Sequence, residues 1–237
     1  MIATTALMMA SLTAQVSQNI DSYIQKNFDD ASLTARVKYA NQKELAKIND
    51  DFGKSYRLPY TDVKVKEPFK VRLETNVDDT KVLYIINGTT LLIRIPRIKV
   101  NTRQDLAKSP GRRQTLLDFG LLTPSLFNGF LEAKFVRLDR ATNDVVFDIT
   151  HPKILDDTSR HRVWIDPQKK FVTKREWFSQ RGRQLATFYY NEPVNLGGVW
   201  VPTKMQVKNV DGALAGETYY TNLKVNTGLD DALFSVK

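Results

Sequence analysis

The sequence predicts a mainly β (α+β) fold, built on one antiparallel sheet that is strongly curved or closed. Two observations carry this. From Leu131 to Val225, seven segments alternate apolar and polar residues, with short clusters of turn-forming residues between them. Helical spacing of apolar residues is confined to the first quarter of the chain and one short interval near its middle. The 237 residues suffice to bury a sizeable core without disulfides or metal.

Residues 1–14 are apolar, small and uncharged. They suit the apolar region of a secretory signal cleaved after Ala14, although a positive leader region is missing, or a frayed helix start. Residues 15–237 are expected to form one domain, because no linker or low-complexity tract interrupts them. Val16, Ile20, Tyr23, Ile24 and Phe28 recur at helical spacing and predict an amphipathic helix. In "SLTARVKY", Leu33, Ala35, Val37 and Tyr39 share one face of a half-buried strand. Leu45, Ile48 and Phe52 suggest a second helix, ending near Gly53. From Glu67 onward the pattern is largely β. "PFKVRLET" puts Phe69, Val71 and Leu73 on one face, and "KVLYIINGTTLLIRIP" is two apolar runs joined by Asn87-Gly88. Asn-Gly supplies the positive φ angles that a tight hairpin requires. The later strands are "LEAKFVRLD", "DVVFDIT", "RHRVWIDP", "KFVTKREWF", "RQLATFYYNE", "VWVPTKMQVKNV" and "ETYYTNLKV".

Composition removes several functions. The chain has no cysteine, which excludes disulfides, thiolate metal sites, thiol nucleophiles and lipid attachment through cysteine. The formal charge of +9 favours anionic partners such as acidic lipid headgroups. The cations alternate with apolar residues along strands and concentrate on no helix, and no recognition motif accompanies them, so nucleic acid is not an expected partner. The two histidines, His151 and His161, belong to no metal-binding pattern. The Asp-Asp pairs fall where the periodicity breaks, as turn and cap residues do. Ser159, His161 and Asp166 are neighbours on one strand and cannot converge as a catalytic triad. No catalysis and no cofactor are expected.

One stretch stands apart. "RQTLLDFGLLTPSLFNGFL", Arg113 to Leu131, holds six leucines and three phenylalanines in an otherwise polar and basic chain. Gly120 is placed to end a short helix carrying Leu116, Leu117 and Phe119. Thr123-Pro124 reads as an N-cap followed by proline at the first helical position. Two short apolar helices therefore interrupt the strands. Such groups fill a core, and they also suit an acyl chain, where ~0.8 kcal/mol is gained per buried CH₂.

The second half resembles the LolA-like outer-membrane lipoprotein-sorting proteins. The pattern is Trp164 with Asp166-Pro167, Gly182, Tyr190, Gly198 with Trp200 and Pro202, and a closing Phe234. "EPFKVRLE" and "YIING" match the family's first-half strand and hairpin, so the likeness spans roughly residues 60 to 236. It implies an unclosed antiparallel β-barrel whose concave face is covered by helices, including Val16–Phe28 and the greasy stretch. It also implies a monomeric periplasmic carrier, not an enzyme, that holds acyl chains of a lipoprotein or lipid. A membrane protein would be donor or acceptor. The lining would be Phe69, Val71, Leu73, Leu116, Leu117, Phe119, Leu121, Leu122, Leu126 and Phe127. Trp164, Trp177 and Met205 are further candidates, because either strand face could be the concave one. Arg112 and Arg113 would meet acidic headgroups at the mouth. A second implied role is an envelope-stress sensor that binds a membrane protein; a third is catalysis on the same fold. One position departs from the pattern. The carriers have a lid-latching arginine just before the proline of the "PF" strand, and here it is Glu67, with Lys66 one residue back.

Overall fold

The computed structural model describes residues 16–77 and 79–237, so the expected signal segment at 1–14 lies outside the described residues. Thirteen strands form one antiparallel sheet. They are β1 (Asp30–Ala40), β2 (Tyr60–Lys66), β3 (Lys70–Val77), β4 (Thr80–Asn87), β5 (Thr90–Ile95), β6 (Val100–Asp105), β7 (Glu132–Leu138), β8 (Val145–Thr150), β9 (Arg160–Ile165), β10 (Val172–Phe178), β11 (Gln184–Leu196), β12 (Val199–Asn209) and β13 (Leu214–Val225). The spatial order is β6-β5-β4-β3-β2-β1-β13-β12-β11-β10-β9-β8-β7. Two meanders are thus joined where the first strand pairs with the last. β6 and β7 are the two edges and do not pair with each other, so the barrel stays open. The apolar stretch is the connection that runs from one edge to the other.

The expected strands form, and two more appear. β2 was hidden because its only buried side chains are Val63 and Val65. β6 carries no core-facing run at all: after Val100 every residue is exposed. Its place in the sheet comes from its ladder with β5 alone. The hairpin at Asn87-Gly88 forms one residue later than Asn-Gly chemistry suggests. Asn87 pairs with Thr90, and Gly88 takes the positive φ of 61° in a two-residue turn.

The helical component is smaller than expected. Val16–Phe28 is not an amphipathic helix; only Ile20–Ser22 makes a single 3-10 turn, capped by the Asn19 side chain. Tyr23, Ile24, Gln25 and Phe28 are buried. Three consecutive buried positions do not make a helical stripe. The Gln25 N–H donates to the Leu122 carbonyl at 2.8 Å, and its side chain to the Lys169 carbonyl at 2.8 Å. Backbone demand is thus met across the fold, and tertiary pairing overrides helical spacing. The second expected helix is broken into α1 (Gln42–Ala46) and α2 (Asp50–Ser55), with Leu45 and Ile48 buried.

The main core lies between the inner sheet face and the crossing stretch. A smaller cluster on the outer face joins Leu83, Ile85 and Leu92 to Phe234, which the chain's last turn, Asp231–Phe234, folds back over β4 and β5.

Asp30 stitches the seam between the meanders. Its buried carboxylate accepts from the N–H groups of Thr227, Gly228 and Leu229, at 2.8 to 3.1 Å, and from the Thr227 hydroxyl. Burial alone would raise its pKa, but these donors together hold it below the usual carboxylate value. A depressed folded-state pKa gives stability that is full above the unfolded value of ~4 and is lost as pH falls through the folded one. Replacing Asp30 with Asn is expected to flatten the acid limb of the melting-temperature profile. It should also lower the melting temperature at neutral pH. An unchanged acid limb would show that Asp30 does not carry it.

Candidate functional site

The connection between β6 and β7 crosses the inner face as a series of single turns. Pro110–Arg112, Leu116–Phe119 and Pro124–Phe127 are each 3-10 turns. The expected boundaries hold. Gly120 ends the second turn in the left-handed region at φ 78°, and Thr123 precedes Pro124 at the start of the third. The turns are shorter than α-helices because each is closed at once. Asp118 accepts from the Thr115 N–H at 2.9 Å, and the Gly120 carbonyl turns outward to accept from Val172 N–H at 2.9 Å.

Leu116, Leu117, Phe119, Leu121, Leu122 and Leu126 are all buried in the main core, with Val71 of β3 opposite. Phe69, Leu73, Phe127, Trp177 and Met205 are partly buried and pack against the same cluster. These candidates therefore share one apolar layer. Trp164 does not join them. Its indole N–H donates to Asp139 at 2.9 Å, and Lys174 Nζ sits 3.9 Å from the ring centre, on the outer face. The strand alternation explains it: Val163 and Ile165 face the main core, so Trp164 between them faces away.

The layer is made of buried and partly buried side chains. At its rim, between the β2–β3 turn and the crossing stretch, a cavity of about 10 Å³ remains, bordered by Glu67, Phe69, Thr115 and Ser125 among others. That is room for about one water molecule. Anything longer can enter this part of the layer only by displacing the crossing stretch.

What fastens the stretch to the sheet is polar, and composition gave no hint of it. Arg175 of β10 is 5% exposed and projects to the inner face. It donates to the Asp118 carboxylate at 2.9 Å, and its guanidinium stacks over Phe188 at 4.2 Å. The Tyr190 hydroxyl donates to the Leu117 carbonyl at 3.2 Å. Glu67 meets the Ser125 hydroxyl, so the β2–β3 turn contacts the crossing stretch. Arg113 lies between the rings of Phe69 and Phe130, 4.4 Å from each, which places it at the rim of the layer. Arg112 is exposed beside it. Buried phenols surround Arg175: Tyr190 and Tyr220, with Tyr56 nearby. Burial pushes the Tyr56 phenol up to about 12 and raises those of Tyr190 and Tyr220, so all three stay neutral. One signal for Arg175 was present in the sequence. It is in phase with Trp177 and out of phase with Lys174 and Glu176, so it shares the buried face of its strand. Among the described residues, no group of three His, Asp or Glu side chains is placed to hold a metal ion.

Comparison with known proteins identifies the fold. A LolA superfamily protein from Nitrosomonas europaea aligns over 91% of this chain and 94% of its own, with a TM-score of 0.61 and 15% identity. A putative outer membrane lipoprotein-sorting protein domain from Vibrio parahaemolyticus aligns over 91% and 93%, at 0.61 and 13%. A DUF1329 family protein from Desulfovibrio piger aligns over 91% and 92%, at 0.58 and 14%. The chain has the fold of these proteins, as the strand motifs of its sequence implied. A family model described only as an uncharacterized protein matches residues 155–237. No curated protein matches the sequence.

Proposed function

We propose that this chain, built on the LolA-type fold, is a periplasmic carrier that binds acyl chains of lipids or lipoproteins beneath the crossing stretch. One observation supports this above the others. A continuous apolar layer joins the sheet to a stretch that enters no β-ladder and is fastened by a few polar contacts. A core serving stability alone would gain more from extending β6 or β7 to close the barrel. An acyl chain that displaces the stretch exchanges one apolar partner for another, at little cost in hydrophobic free energy. No helix among the described residues is long and apolar enough to cross a membrane.

The test compares two variants. Leu121→Ser combined with Leu122→Ser alters the crossing stretch, while Leu92→Ala alters the outer-face cluster; all three residues are at most 2% exposed. Both variants should melt earlier. Only the first should lose affinity for a fluorescent fatty acid, by ~2 kcal/mol, on the scale of burying a leucine. Equal affinities at matched folded fraction, or a wild-type protein that binds no fatty acid, would reject the carrier.

A further inference from the structure

The inner layer of a pure acyl-chain carrier has no use for a buried cation, yet Arg175 is there. Its side chain is 6% exposed, and among the described residues its ion-pair partner is Asp118, which lies on the crossing stretch and is about a third exposed. Arg175 presents Nη1 to one oxygen of Asp118, the Tyr190 hydroxyl lies against the same guanidinium, and Nε is buried without a hydrogen-bond partner. Guanidinium groups bind carboxylates and phosphates best through two parallel N–H donors, and Asp118 takes only Nη1. The carboxylate on the neighbouring outer face, Glu176, is engaged by Lys174.

We infer that Arg175 is the head-group site of the hollow, where the carboxylate or phosphate of an anionic amphiphile replaces Asp118 as the crossing stretch lifts. This rests on the carrier reading. When the stretch lifts, Asp118 leaves with it. A buried guanidinium without a counter-ion is strongly unfavourable, so a neutral amphiphile would have to open the layer against that penalty. An anionic head removes the penalty, and unlike Asp118 it can take two guanidinium donors at once. Tyr190 adds to the selection. Its hydroxyl loses the Leu117 carbonyl in the same movement, and it is then free to donate to the same anion. Because burial keeps this phenol neutral, it remains a donor. The ligand class follows: an amphiphile with an anionic head seated inside the layer, rather than a neutral lipid.

The test is calorimetric titration of the full chain, at about pH 8 so that a carboxylate is ionised, with dodecanoate, dodecyl phosphate and dodecanol. Both anions are expected to bind at least ~10-fold more tightly than the alcohol, as charge-assisted bonds to arginine require. Whichever anion binds tighter identifies the head. Arg175→Gln should abolish the preference, and Asp118→Asn should tighten both anions by removing their competitor. Should Arg175→Gln fail to fold, Asp118→Asn still decides, because it keeps the guanidinium. Equal binding of alcohol and anions in the wild type, or no tightening in Asp118→Asn, overturns the head-group site and leaves the carrier standing. If none of the three binds, the carrier reading itself fails, and the head-group site with it.

Discussion

Asp118→Ala is expected to destabilise the protein by ~3 kcal/mol, the lower end of the range for breaking a buried ion pair from one side. The lower end applies because Asp118 is itself about a third exposed, whereas Arg175 is almost wholly enclosed. The loss has two sources. The guanidinium stays in the apolar layer without its counter-ion, and the Leu116–Phe119 turn loses the carboxylate that caps the Thr115 N–H. Chemical denaturation would read both as one lower midpoint. A double substitution, Asp118→Ala with Arg175→Met, separates them, because it removes the stranded charge and leaves only the lost cap. Most of the stability should return in the double variant. If it does not, the pair is not what fastens the stretch.

Gly120→Ala should be comparably damaging, for an unrelated reason. Gly120 sits at φ 78°, where a side chain costs ~1 kcal/mol or more. A methyl group there would also stand 2.8 Å from the Tyr190 ring and 3.1 Å from Pro202. Overpacking of this kind costs ~1–3 kcal/mol. The ring cannot retreat easily, since Tyr190 is buried and its hydroxyl is anchored to the crossing stretch. A melting temperature within one or two degrees of wild type would show that the stretch is not seated on Tyr190 as described.

The sequence was legible where chemistry acts locally. Gly120 and the Thr123-Pro124 pair marked the ends of the crossing turns, because a left-handed residue and a proline restrict the backbone whatever surrounds them. The alternating strands were legible because one side of the sheet faces a core. Legibility failed where the partner is remote. β6 has no apolar face, and only its ladder with β5 makes it a strand. Val16–Phe28 has helical spacing, yet its backbone bonds to Leu122, about a hundred residues away. The fastening of the crossing stretch was missed for the same reason. Asp118 and Arg175 are ordinary charges in sequence, and their meaning arises only when β10 comes to lie beneath the Leu116–Phe119 turn. Among the candidate lining residues, those on the crossing stretch and on β3 came together, while Trp164 was assigned without knowing which face of its strand looked inward.

The central claim is that the crossing stretch is a removable cover over an acyl-binding layer. Since the chain has no cysteine, Glu67→Cys with Ser125→Cys introduces the only thiols, on the two sides of one contact between sheet and cover. A short cleavable bismaleimide would then tie the cover down. Native mass spectrometry with dodecanoate should find one ligand bound before cross-linking, none after it, and one again once the linker is cleaved. Undiminished binding by the cross-linked protein would contradict the account.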